Sequence, residues 1–152
     1  MHWTTTRHAL LFLGAVCLLA APAMAALGGD AATVTEDVSR LKAQLRVTSK
    51  QGYEIHELQG DSGSVVREFV SSTGKVFGVA WNGPVLPDMR QVLGNYHARL
   101  AAATNANRRP QGPLVINAGD FVLYSGGHMR AYTGRAYVPQ MLPEGVSPDA
   151  IR

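Results

Sequence analysis

Between Tyr53 and Trp81 the chain repeats one kind of unit: a short β-rich run closed by a turn that carries glycine. Tyr53, Ile55 and Glu57 alternate with Glu54, His56 and Leu58, and the cluster Gln59-Gly-Asp-Ser-Gly63 follows. Ser64 to Ser71 is a second run, closed by Ser72-Thr-Gly74, and Lys75 to Trp81 is a third. Runs this short, alternating or β-branched and separated by tight turns, predict an antiparallel meander. Gly78 inside the third run predicts a bulge or the close approach of another backbone, because a strand interior otherwise favours a side chain that packs.

Helical spacing appears on both sides of this block. Val34, Val38, Leu41 and Leu45 recur at intervals of four, three and four, which predicts a one-sided helix over about 34–46. Thr33 and Glu36 are spaced as a capping box, and Val47-Thr48 and Gly52 close the segment. The residues before it, 26–30, read as flexible and extended. After Pro84 and Pro87, Asp88 is placed to cap a second helix over about 88–103, whose stripe is Met89, Val92, Leu93, Tyr96 and Leu100. Gly94 lies inside that helix and implies close packing, since glycine there costs up to about 1 kcal/mol relative to alanine. Residues 104–113 read as a flexible loop. Further strands are expected at 114–116, 120–124 and 129–138, and three prolines make the tail irregular. The predicted fold is one α+β domain over 26–152. It has an antiparallel sheet of about five or six strands, the 88–103 helix on one face and the 34–46 helix beside it.

The first 25 residues read as a removable leader. Arg7 and His8 precede an apolar run from Ala9 to Ala20, Pro22 breaks it, and Ala23-Met-Ala25 presents small residues where a signal peptidase reads. The run is shorter than the roughly 18 apolar residues of a membrane span, so cleavage after Ala25 and a periplasmic or secreted location are expected, with no stable span afterwards. Cys17, the only cysteine, leaves with the leader. The mature chain is then held by apolar burial without disulfides, and thiol catalysis and cysteine-ligated metal are excluded. The formal charge of +3 falls by one with Arg7, and the remaining basic residues are scattered, which gives no footprint for nucleic acid.

The motifs that suggest chemistry dissolve on inspection. Asp61-Ser62-Gly63 resembles a serine-protease nucleophile segment, but its nearest histidine, His56, lies on the same hairpin, and these are ordinary turn residues. Ser72 and Lys75 have the S-x-x-K spacing of penicillin-binding enzymes, yet they cross a β-turn and have no partner motifs. His56, His97 and His128 have no second ligand at local metal spacing. Glu54, Glu57, Asp61 and Glu68 lie on or beside one hairpin, where pairing with Arg67 explains them as well as acid and base roles do. No catalytic, cofactor-binding or metal-ligating residue is therefore assigned. The densest unusual segment is Val76 to Arg90, where Trp81 either closes the core or lines a groove. Burial is the favoured reading for so large an aromatic. The candidate binding surface is Trp81, Asn82, Arg67, Glu68, Arg130 and Tyr132.

Val65-Val-Arg-Glu-Phe-Val70, Gly74-Lys-Val-Phe-Gly-Val-Ala-Trp81, Gly83-Pro84, Pro87-Asp-Met89 and Leu93-Gly-Asn-Tyr96 together resemble the signature of small exported proteobacterial proteins grouped as domain of unknown function 2844. Ala26-Leu-Gly-Gly29 and Gly127-His-Met-Arg-Ala-Tyr132 extend the resemblance over nearly all of the mature chain. The family carries no assigned activity. The resemblance implies export, and because its members sit beside genes for another uncharacterised exported protein it also implies a partner. The expected function is a non-catalytic exported accessory protein that binds another exported protein or an envelope component. The alternative is a small cell-wall or polysaccharide hydrolase using the hairpin carboxylates.

Overall fold

The computed structural model describes residues 26–31, 44–106 and 112–152. Among these, seven strands form one antiparallel sheet: β1 (Gln44–Lys50), β2 (Tyr53–Gln59), β3 (Val65–Ser71), β4 (Val76–Gly83), β5 (Leu114–Asn117), β6 (Val122–His128) and β7 (Ala131–Tyr137). Their order is β1-β2-β3-β4-β7-β6-β5. β2, β3 and β4 form the expected meander, which β1 extends by one strand, and β5, β6 and β7 form a second one that returns to dock β7 beside β4. The link between the two meanders carries α1 (Met89–Leu93), a 3-10 turn (Gly94–Tyr96) and α2 (His97–Ala106). The fold is α+β.

Alternation along each strand divides the sheet into two faces. Val70, Val76, Val79, Trp81, Leu123 and Ala136 share the inner face, where they form one core with Val92 and Leu93 of the helical segment. Tyr96 stacks on Phe121 with ring centroids 5.1 Å apart.

Three expectations need correction. The predicted 34–46 helix falls mostly outside the described residues, but its last part, from Gln44, is strand. Leu45 and Val47 alternate with Arg46 and the β-branched Thr48, and a two-residue turn with Gly52 at φ 85° pairs the whole segment with β2. This strand is the one beyond the five or six expected. The 88–103 helix is present and Asp88 caps it, its carboxylate accepting from the Arg90 N–H at 2.9 Å. It is interrupted at Gly94, however, whose φ of 50° favours glycine, and it runs on to Ala106 into the expected loop. Residues 107–111 of that loop lie outside the described residues.

The third correction concerns residues 26–30, which are docked rather than flexible. Leu27 is buried in the inner core, and its N–H donates to the Val92 carbonyl at 3.1 Å. The Gly28 N–H donates to the Val76 carbonyl at 2.8 Å, and Asp30 pairs with Lys75 at 3.0 Å. Burying one leucine contributes roughly 1.5–3 kcal/mol, enough to hold a short segment whose backbone groups are also satisfied. A Cβ on Gly94 would collide with the Ala26 side chain, which accounts for the glycine in the helix. Among the described residues no helix is long and apolar enough to cross a membrane.

Candidate functional site

The outer face is covered at one end only. There the tail folds back through 3-10 turns at Pro139–Met141 and Pro148–Ala150. Ile151 packs with Phe69, Phe77 and Ala80 in a second core. Gly78 leaves the space that Ile151 fills, since any Cβ there would press into its side chain. The glycine expected to mark a bulge or the close approach of another backbone lies at a bulge, where the register shifts between Phe69 and Val70, but what approaches it is the Ile151 side chain and not backbone.

One cross-strand row runs over this face, and the tail covers its middle, where Ala80 is buried against Ile151. The registers of six strand pairs align Arg46, Glu57, Arg67, Ala80, Arg135, Tyr124 and Val115, one residue from every strand. Arg67 donates from Nε to Glu57 at 2.7 Å and from a terminal nitrogen to Asn82 Oδ1 at 3.1 Å. Arg135 lies over the Tyr124 ring, 5.1 Å from its centroid, and donates to the Pro148 and Ile151 carbonyls at 3.3 and 3.4 Å. It also reaches the Asp149 carboxylate at 3.5 Å, a weak, solvent-screened pair. Arg67 is thus held through Nε and one terminal nitrogen, and Arg135 through both terminal nitrogens, its partners lying in the tail.

Two hollows flank the end of the tail. The larger, about 580 Å³, lies between Arg67, Asn82, Tyr124, Thr133, Arg135 and Arg152. Its floor includes Gly126 and Gly134, and so bare backbone. The smaller, about 470 Å³, lies over β1 and β2 between Arg46, Lys50, Glu57, Arg67 and Arg152. Arg67 and Arg152 form the wall that both share, so the hollows make a two-part trough divided by the end of the tail. Its described charged groups are five cations (Arg46, Lys50, Arg67, Arg135 and Arg152) against Glu57, with Asp149 beside Arg135. Beside the larger hollow, burial holds the Tyr137 phenol above its ordinary value, the neighbouring Tyr124 adds to this, and Arg135 opposes it.

The six candidate surface residues are not brought onto one surface. Arg67 and Asn82 meet on the outer face. Glu68 is buried on the inner face, paired in register with Val79. Trp81 is 2 % exposed, its ring against Gly134, which makes it the core residue that its size suggested. Arg130 is at the tip of the β6–β7 hairpin in left-handed backbone, φ 66°, and Tyr132 stands opposite Gly83. The hairpin carboxylates separate as well: Glu57 faces outward, Glu54 and Glu68 share the opposite face, and Asp61 sits in the turn. His56, His97 and His128 lie on β2, α2 and the end of β6, and among the described residues no group of three potential metal ligands comes together. Ser62 and Ser72 are in turns, as their neighbouring residues suggested, and Lys75 is committed to Asp30.

The sequence reading missed Arg46, Tyr124, Arg135 and Arg152. Outward parity within each strand was a readable signal, but the pairing of β4 with β7 was not, and only that pairing joins Arg67 to Arg135.

Fold and face together define a class: a helix-covered antiparallel sheet, closed by its own tail, with a cationic trough on the uncovered side. The chain belongs to the family described as Protein of unknown function (DUF2844), whose sequence model matches residues 23–151. No curated protein and no solved structure matches the chain.

Proposed function

We propose that this chain is an exported, non-catalytic binding protein of the cell envelope, and that the trough on its outer face is the binding surface. The observation that carries this reading is a concave outer surface bordered by Arg46, Arg67, Arg135 and Arg152 and by the Tyr124 ring. Such a surface recognises by charge and shape, and a binding module needs no more than that. Hydrolysis asks instead for an acid and a base converging on one bond. The hairpin carboxylates lie on opposite faces, and the one in the trough, Glu57, is held in an ion pair.

Export is part of the proposal, resting on the leader-like first 25 residues and the small residues before Ala26. It is consistent with this that Leu27, two positions beyond the proposed cut, already belongs to the core.

The test combines fractionation with ligand mapping. Protein recovered from the periplasm or medium is expected to begin at Ala26 by N-terminal sequencing. Isotope-labelled mature protein, titrated with fractionated envelope polymers, is expected to show amide shifts confined to outer-face residues, with the polymer recovered intact. Intact Met1 on cytosolic protein would refute export, shifts elsewhere would refute the trough, and shortened polymer would restore the hydrolase.

A further inference from the structure

We infer that the free edge of β1 is a docking site, which takes an extended acidic segment of another protein as an added antiparallel strand. The two edges of the sheet differ. β5, at one edge, has four residues and follows Pro113, which has no N–H to donate, so that edge is short and blunted. β1, at the other, has seven residues, all exposed, and its register with β2 runs from Gln44 to Lys50 without a shift. Alternate residues of an edge strand turn their N–H and C=O groups away from the sheet. Among the described residues no strand meets those of β1. A regular, uncovered edge of this length is a template for a further strand.

The side chains of β1 select what that strand must carry. Lys50 and Thr48 stand opposite Tyr53 and Ile55, which pack on the second core, and Arg46 stands opposite the outward Glu57. Arg46, Thr48 and Lys50 therefore line the outer face. Leu45 and Val47 line the other, opposite Leu58 and His56, and are 39 % and 50 % exposed. Neither cation is spent. Glu57 is taken by Arg67, and among the described residues Arg46 and Lys50 are in no ion pair or side-chain hydrogen bond. Side chains directly opposite across an antiparallel pair lie about 4.5–5.5 Å apart, where opposite charges stabilise and like charges repel. An incoming strand matches when it sets two acids four positions apart, against Lys50 and Arg46, and two apolar residues against Val47 and Leu45. A second copy of this chain does not match. Antiparallel pairing of two β1 strands crowds Arg46 and Lys50 of both onto the outer face with no acid between the strands. The edge adjoins the trough, whose smaller hollow Arg46 and Lys50 also border, but it works through backbone groups that the trough does not use.

The experiment titrates the mature protein with three capped peptides of equal length. The first sets two glutamates four positions apart on one face and valines on the other. The second has lysine in place of glutamate. The third is the first with N-methyl groups on the backbone amides that would face β1. Amide shifts and hydrogen exchange read the binding. The glutamate peptide is expected to shift β1, to slow its amide exchange, and to weaken with salt. Arg46→Glu and Lys50→Glu are each expected to weaken it about fivefold, as loss of an exposed charge pair does, and to strengthen the lysine peptide by a similar factor. Lys50 stands opposite Tyr53 and meets no acid on β2, so its variant tests the pairing even where Arg46→Glu is strained by Glu57. Equal binding of the lysine peptide to the wild type would overturn the acidic partner. Equal binding of the N-methylated peptide would move the acids to the trough, overturning strand addition while leaving the trough standing. Shifts of β1 that grow with protein concentration alone would give the edge to a second copy, and a β1 unmoved by every peptide would end the proposal.

Discussion

Trp81→Ala tests the packing that holds the sheet to its helices. The indole is 2 % exposed, and it occupies the space that a Cβ on Gly134 of the neighbouring strand would need. Truncating a buried tryptophan costs about 3–5 kcal/mol in transfer and cavity terms. One feature lowers that figure. The indole Nε1 is buried without a hydrogen-bond partner among the described residues, and an orphaned donor of this kind costs about 1–3 kcal/mol in the native state. Alanine removes the ring and the orphan together, so the net loss should fall to about 2 kcal/mol. Trp81→Phe keeps much of the ring and deletes the donor, and should cost less than about 1.5 kcal/mol. In urea, with a slope near 2 kcal/mol per molar, the alanine midpoint should drop by roughly 1 M with the slope unchanged. Gly134→Ala, which drives a methyl group into the indole and against the Tyr124 carbonyl, should cost about 1–3 kcal/mol, and only the indole's share should vanish when Trp81 is also leucine. A loss below about 1 kcal/mol for Trp81→Ala, or phenylalanine costing as much as alanine, would refute the reasoning.

Two further outcomes follow from the ends of the chain. Leu27→Ala should lower stability by about 2–5 kcal/mol in the same urea assay, whereas a loose segment would tolerate it at no cost. Tyr137 sets an alkaline limit. Its folded phenol is held above the ordinary 10.0 by burial first, so the unfolded chain releases this proton before the folded one does. Its contribution is complete below about pH 10 and fades as the pH rises through the folded value, so Tyr137→Phe should flatten the fall in stability above pH 10.

The strands β2, β3 and β4 were legible because their turns declare themselves. Gly63 and Gly74 both have positive φ, and each sits where a cluster of turn residues ends a β-rich run. The first strand was not legible. Leu45 belongs equally to a four-three-four series running back to Val34 and to an alternation running forward to Val47, and local sequence cannot weigh the two. What decides for strand is the two-residue turn at Gln51-Gly52, which hands β1 a complete partner in β2. Residues 26–30 failed for a related reason: two glycines suggest freedom, but a single leucine with a prepared pocket outweighs them.

The trough shows why net charge along a chain is a poor guide to the field around it. A formal charge of +3 with basic residues spread from Arg46 to Arg152 gave no reason to expect a cationic surface. The sheet converts that spread into concentration. Each hairpin sets its own register through its turn, so Arg46 is placed opposite Glu57, and Glu57 opposite Arg67, by contacts local in sequence. The second meander does the same for Arg135 and Tyr124. Only the β4–β7 pairing, which sets Ala80 opposite Arg135, joins the two halves into one row, and it spans more than fifty positions. Because side chains alternate with period two, a slip of one residue in that single pairing would turn β7 over, sending Arg135 to the inner core and Ala136 outward. Burying an arginine unpaired is costly enough to forbid the slip. The same residue that lines the trough therefore fixes the register that creates it.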